Sequence, residues 1–415
     1  MLATVAFACW SGGASAALSL SVIVQNPDYN IVAVGPDGTA YGTQNSANAI
    51  APYTFYVSTD KGQTWTQRYQ FPTNSRILRM SVLSTGTLIL TLDQGDQFFY
   101  RSDDHGQTWT QVLHMPANYQ TLTAHSVDDD GTYVYFATYN VFSGPVNTNY
   151  VYRSSDDGRT WSVIYTETHF RHAHYTRVDP STGWIYVGYG DDDSVASLQR
   201  SKNQGFTWET VCSGSACLGV DMAFTDNGIG VFGTDNPFAS VNFVRRMNLA
   251  TGTYTTIGQI AGPSYAIERL GSNYLIGTTR EPNSSYPVND PNLHLYATKA
   301  DGTDFTDVFQ IPWVNPNGYI ELRVQFTFPD GDFPIQVSGR GTIVARLTDD
   351  STPVQPPVNT ALPTISGTAE QGQLLSASNG TWTNAPTGYA YQWQRCNSAG
   401  ASCSNIAATG SNYTA

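Results

Sequence analysis

Charge is scarce in this chain of 415 residues: Asp, Glu, Lys and Arg together make up 13% of it. The balance is acidic, a formal net −13 at pH 7, and Lys and Arg nowhere cluster. A nucleic-acid partner needs such a cluster to neutralise phosphates, so that class is excluded, and any acidic ligand needs a local cationic pocket. No stretch carries a helical hydrophobic period, and none beyond the first residues is long and apolar enough to span a bilayer. Cysteine is sparse too, five in all, with no zinc-ligand partners at suitable spacing.

The chain has instead 13% aromatic residues, 37 glycines and 21 prolines, the composition of many short strands joined by tight turns. A repeat sharpens this all-β reading. The pattern S-x-D-x-G-x-T-W occurs at residues 58–65, 102–109 and 154–161, and again at 201–208 with Asn203 in the Asp position. Each copy stands between two strand-like runs and reads as a hairpin turn: Asp accepts from nearby amides, Gly supplies positive φ, and Trp covers the turn. Successive copies start 44, 52 and 47 residues apart, matching the ~40–50-residue period of a four-stranded propeller blade.

A second set of turn signals counts the blades. These are Pro36-Asp37-Gly38, Ser84-Thr85-Gly86, Asp129-Asp130-Gly131, residues 180–183, Asp226-Asn227-Gly228, Gly271-Ser272-Asn273 and Pro329-Asp330-Gly331. Seven such turns, each joining the first strand of a blade to the second, predict a seven-bladed β-propeller over residues 18–350. The last unit, 322–347, has only three strands, and residues 18–24 (LSLSVIV) are expected to supply the fourth and close the ring.

Residues 1–17 read as the remnant of a secretory signal, apolar and ending in small residues around Ala14-Ser15-Ala16, though without a basic start. Export fits the remaining cysteines, which fall into two close pairs, Cys212 with Cys217 and Cys396 with Cys403. Residues 351–363 hold four prolines and read as a linker. Beyond it, Gly380-Thr381-Trp382 and residues 391–396 (YQWQRC) resemble the Ig-like repeats of Gram-positive bacterial surface proteins, which implies an incomplete Ig-like β-sandwich over 364–415.

The octapeptides resemble those of the Asp-box (BNR repeat) proteins of the sialidase superfamily, over roughly residues 18–350. That resemblance implies the propeller and, because the box is a turn rather than a site, leaves the activity open among glycoside hydrolases, polysaccharide lyases and receptors. Classical sialidases carry an Arg-Ile-Pro segment in the first blade and an arginine triad. Here that strand is Asn30-Ile31-Val32-Ala33-Val34, so no sialidase catalytic residue is carried over.

In a propeller the turns counted above share one face, and the longer, irregular loops crowd the other, which is the expected working face. Its richest stretch is residues 168–175 (THFRHAHY), where His172 and His174, two apart in a strand, share a side and Asp191, Asp192 and Asp193 lie at the same end. Imidazoles beside a carboxylate suit acid/base work, and a guanidinium suits a sugar carboxylate. The catalytic candidates are His172, His174 and Tyr139. The substrate-binding candidates are Arg171, Arg280, Arg340, His125, Asp191, Asp235, Glu321 and Trp313. No metal or other cofactor is expected; a divalent cation on His172, His174 and one Asp is the lesser alternative. The functional expectation is a secreted or cell-surface bacterial protein that degrades an acidic polysaccharide or glycoconjugate by hydrolysis or β-elimination, with possible wall association through the C-terminal module. The alternative is a non-catalytic module that binds a glycan or protein.

Overall fold

The side chains of each octapeptide close the turn that carries them. In the computed structural model of the chain, Ser154 Oγ donates to Asp156 Oδ1 (2.7 Å) and accepts from the Gly158 amide (2.9 Å). Asp156 in turn accepts from the amide and the hydroxyl of Thr160 (2.8 and 2.6 Å). Asp60 and Asp104 repeat this pattern, and Asn203 reproduces it with one donor and one acceptor toward Thr207, both at 2.9 Å. Positive φ is required twice in each turn, at Gly158 (78°) and at Asp157 before it (58°) in this copy. The glycine is needed for packing as well: a Cβ on Gly106 would lie 2.2 Å from Phe55, and one on Gly205 2.1 Å from Ile164, each in the preceding sheet.

The structure describes residues 2–9, 18–45, 53–73, 75–93, 97–141, 147–191, 195–236, 241–280, 290–312, 320–337, 340–349, 359–382 and 388–415. The chain divides into two compact units, Leu18–Thr348 and a second made of Met1–Ala17 with Asp349–Ala415.

The larger unit is an all-β propeller. Five of its sheets have four antiparallel strands in chain order, the first being Tyr29–Val34, Ala40–Gln44, Thr54–Ser58 and Thr66–Gln70. Two further sets of four are linked through Thr279 and Arg280, which pair with Glu321 and Ile320. One is Ser264–Leu270, Asn273–Arg280, Asn292–Lys299 and Thr306–Pro312; the other runs Ile320–Arg323, Phe333–Val337, Gly341–Asp349 and then Leu18–Asn26. The N-terminal strand is therefore the outer partner of the last set, as the count of strands required.

Burial follows this order. The fourth strand of the first sheet has no buried residue, whereas all five residues of Ile185–Tyr189, second in the fourth sheet, are buried. Apolar clusters such as Ala33, Tyr41, Phe55, Met80, Leu88 and Leu90 fill the gap between neighbouring sheets. All seven glycines of the other turn set, from Gly38 to Gly331, have positive φ. The two turn sets touch: Thr85 Oγ1 donates to Asp157 Oδ1 (2.8 Å), which puts both on one face.

In the smaller unit, Leu2–Cys9 runs antiparallel to Gly388–Arg395, so residues from the stretch read as a leader form a strand there. Trp393 is buried and its Nε1 donates to Gly410 O (2.8 Å). The expected disulfides, Cys212–Cys217 and Cys396–Cys403, are both formed. Among the described residues no helix is long and apolar enough to cross a membrane.

Candidate functional site

Antiparallel pairing decides what meets at the loop end of the fourth sheet. Its inner strand begins at Ala173 and its second strand ends at Tyr189, and these two residues are paired. The chain then turns at Gly190 (φ 92°), where a Cβ would strike Val195 O at 2.6 Å, and the Gly190 amide donates to His172 O (2.9 Å). Asp191 is thereby delivered beside the histidines. The register shifts between Ala173 and Tyr175, a β-bulge at His174 that aims its ring toward the same carboxylate.

The cluster is tight. Asp191 Oδ1 lies 2.9 Å from His172 Nε2 and 2.6 Å from His174 Nε2, while Oδ2 pairs with Arg171 Nη1 at 2.9 Å. Neighbouring sheets complete it. His172 Nδ1 meets Asn140 O and His174 Nδ1 meets Gly219 O, both at 3.1 Å, and Tyr139 stacks on His172 with ring centroids 3.9 Å apart. Buried Asp235, from the fifth sheet, adds a negative field at His174. Burial lowers the pKa of His172; burial also opposes a charge on His174, but Asp191 outweighs it and the value is raised. Burial likewise opposes the Asp191 carboxylate, yet hydrogen bonds from both imidazoles hold its pKa far below the ordinary range.

Arg171, His172, His174, Asp191, Tyr139 and Asp235 are thus brought together. Their accessibility differs from the expectation. The side chains of His172 and His174 are 1% and 0% exposed and both ring nitrogens of each are engaged by protein, so neither presents an open nitrogen to a substrate. Arg171, Tyr139 and Asp191 are the half-buried members.

The remaining candidates lie elsewhere. Arg280 belongs to a small depression on the sixth sheet with Ala261, Asp290 and Asn292, and its Nη1 donates to Asp290 O (3.3 Å). Glu321 forms an ion pair with Arg323. Arg340 sits in the turn after Val337, its amide bonded to Val337 O (2.9 Å). Trp313, with Asp192 and Asp193, is outside the described residues.

His125 is an interior residue instead. Its Nδ1 meets Asp221 Oδ2 at 2.6 Å, and its Nε2 meets Gln325 O at 3.0 Å and Glu268 Oε2 at 3.8 Å. These partners come from the fifth, seventh and sixth sheets, so the inner strands converge here. Arg177 lies in the same region, 3.8 Å from Asp128, and burial pushes the Glu268 carboxyl up against the pull of His125 and Arg177. The sequence reading missed this set. Its signal was a charged residue in inner strands such as Ser264–Leu270, where Glu268 follows Ala266 and Ile267.

Residues 53–204 match the family model for sortilin, neurotensin receptor 3 (Sortilin-Vps10). No curated protein matches the sequence. Among solved structures, the GH74 xyloglucanase from Xanthomonas campestris is similar at TM-score 0.54 and 15% identity, covering 88% of this chain; the chain spans 60% of that protein's length. The WD40 β-propeller domain of Doa1 gives 0.53 at 11% identity over 81% of this chain and 97% of the other. An oligogalacturonate lyase in complex with manganese gives 0.52 at 12% identity over 83% and 99%. At these identities the likeness establishes the fold, a β-propeller.

Proposed function

We propose that the protein is a secreted, carbohydrate-active propeller of seven Asp-box blades that breaks down an acidic polysaccharide on the face opposite the octapeptide turns, with an Ig-like module at its C-terminal end. The observation that carries this reading is the convergence of Tyr139 and Arg171 over the buried His172–Asp191–His174 group. A guanidinium at the rim can take a uronate carboxylate in two parallel hydrogen bonds, and an aromatic ring beside it can stack on a sugar. Two proteins of similar fold are by name a xyloglucanase and an oligogalacturonate lyase, which supports the class.

Of the two bond-breaking routes, β-elimination suits these residues better. Glycoside hydrolysis needs a pair of carboxyl groups facing the glycosidic bond, whereas both oxygens of Asp191 are taken by His172, His174 and Arg171. In an elimination, Arg171 neutralises the uronate carboxylate, Tyr139 as tyrosinate takes the proton from the carbon beside it, and the Tyr139 hydroxyl so formed returns that proton to the departing glycosidic oxygen as the ring double bond forms. His172 and His174 hold the site's shape rather than exchange the proton.

The test is incubation with a panel of acidic polysaccharides, following reducing ends and the ultraviolet absorbance of unsaturated uronates. Unsaturated product that falls at least ~100-fold in Tyr139→Phe and Arg171→Ala supports the reading. Reducing ends without absorbance would replace elimination by hydrolysis, and neither signal would sink the enzymatic reading. The internal pairing of Arg171 with Asp191 favours a second reading, a binding module, for which glycan-array retention would survive Tyr139→Phe unchanged.

A further inference from the structure

We propose that His172, His174 and Asp191 form a binding site for one divalent first-row transition-metal ion. Each Nδ1 faces a backbone carbonyl at 3.1 Å, Asn140 O for His172 and Gly219 O for His174. A carbonyl can only accept, so each Nδ1 carries the N–H. A neutral imidazole with its N–H on Nδ1 has a lone pair on Nε2, the position that a proton shared with Asp191 takes in the absence of an ion. Those lone pairs point at one and the same carboxylate oxygen, Asp191 Oδ1, at 2.9 and 2.6 Å. Three acceptors converging on one spot need a positive centre between them, either a shared proton or a metal ion.

A metal ion supplies that centre, and the surroundings are those of a ligand set. An imidazole that donates one N–H to a backbone carbonyl has its tautomer and ring orientation fixed and its other nitrogen made a better ligand. Both histidines have that arrangement. The third donor is oriented too: Arg171 Nη1 holds Asp191 Oδ2 at 2.9 Å, leaving Oδ1 toward the imidazoles. The donor atoms all lie within 4.8 Å of one another. Metal–ligand bonds of about 2.0–2.2 Å in a tetrahedral site place ligand atoms about 3.4 Å apart, so loading requires Asp191, 25% exposed and at the start of a loop, to withdraw by less than about 1 Å. The histidines, fully buried in the sheet, stay where they are.

The chemistry of the donors narrows the ion. Two imidazoles and one carboxylate suit zinc, iron(II), manganese or cobalt and disfavour calcium and magnesium, which take all-oxygen sets. Three protein ligands leave at least one position for water or substrate. The inference is independent of the glycan reading, because it concerns binding of the ion alone.

The experiment uses the whole chain, treated with chelator and dialysed, then titrated with Zn2+ by calorimetry and with Co2+ by visible absorption. One equivalent with a Kd below about 10 μM and a cobalt d–d band are expected, with at least a 10-fold loss of affinity in His174→Gln and Asp191→Asn. In case the variants fold poorly, X-ray absorption of the Co2+-loaded wild-type protein reads the site directly, and two imidazole nitrogens in the first shell are expected. Absence of binding to the wild type below 1 mM, a shell without imidazole, or full affinity retained in folded His174→Gln would each overturn the proposal.

Discussion

Lys61 and Asp332, 271 residues apart in the sequence, form an ion pair of 2.5 Å between the first octapeptide turn and the last sheet. Lys61 also pairs with Asp330, and Asp332, whose side chain is 0% exposed, is held on its other side by Arg346 Nε at 2.6 Å. This contact sits at the seam where Leu18–Asn26 is laid beside Gly341–Asp349. Lys61→Met is expected to lower stability by about 1.5–3 kcal/mol, the worth of hydrogen bonds to a charged group. Arg346→Met, which removes a half-exposed partner, is expected to cost less. Urea denaturation of the two variants checks the order, and equal losses would contradict the seam's dependence on Lys61.

The octapeptide carboxylates should matter to stability alone. Asp156→Ala removes the acceptor for the Thr160 amide and hydroxyl and is expected to cost about 0.5–2 kcal/mol, the range for losing a comparable cap. Asp156→Asn should cost less, since Asn203 fills the same role in the fourth copy. The hydrogen bonds from Thr108 and Thr160, working against burial, lower the pKa of Asp104 and Asp156 from 3.8 to about 2. Their contribution is therefore complete above pH 3.8 and fades as pH falls toward 2. Acid titration of Tm should show a shallower fall in Asp156→Asn than in the wild type.

His294 predicts the opposite slope. Its two nitrogens face Asp290 Oδ2 at 2.8 Å and Asp307 Oδ2 at 2.7 Å, an arrangement that one imidazolium satisfies on both sides. Burial works against the charge, but the two carboxylates outweigh it and the pKa is raised above 6.5. The stability it adds is full below pH 6.5 and is lost as pH rises through the raised value. Asp307→Asn is expected to flatten the pH dependence of stability above 6.5; an unchanged slope would remove His294 from the account.

Two glycines with similar φ should respond differently to alanine. Gly205 (φ 89°) has Ile164 Cδ1 2.1 Å from where a Cβ would stand, whereas Gly131 (φ 80°) has nothing within 4 Å. Gly131→Ala carries backbone strain alone, about 1–2 kcal/mol. Gly205→Ala adds overpacking of a further 1–3 kcal/mol or so, and thermal unfolding of the pair measures the difference.

The sequence by itself determined the local geometry. Ser, Asp, Gly, Thr and Trp at fixed spacing dictate a turn because every interaction that closes it lies within four residues, as between Ser154 and Gly158. Strand alternation and the second turn set then follow, and so does the need for an outer strand in the last set. The meeting of His172, His174 and Asp191 was also legible, since Ala173 and Tyr189 are paired across one hairpin. Only the tertiary structure decided what lies between sheets. The carbonyls of Asn140 and Gly219 that fix both imidazoles come from the sheets on either side, and no local pattern encodes them. The same holds for burial. His125 read as a substrate-binding candidate because its own strand says nothing of Asp221 or Gln325, which reach it only once the inner strands converge.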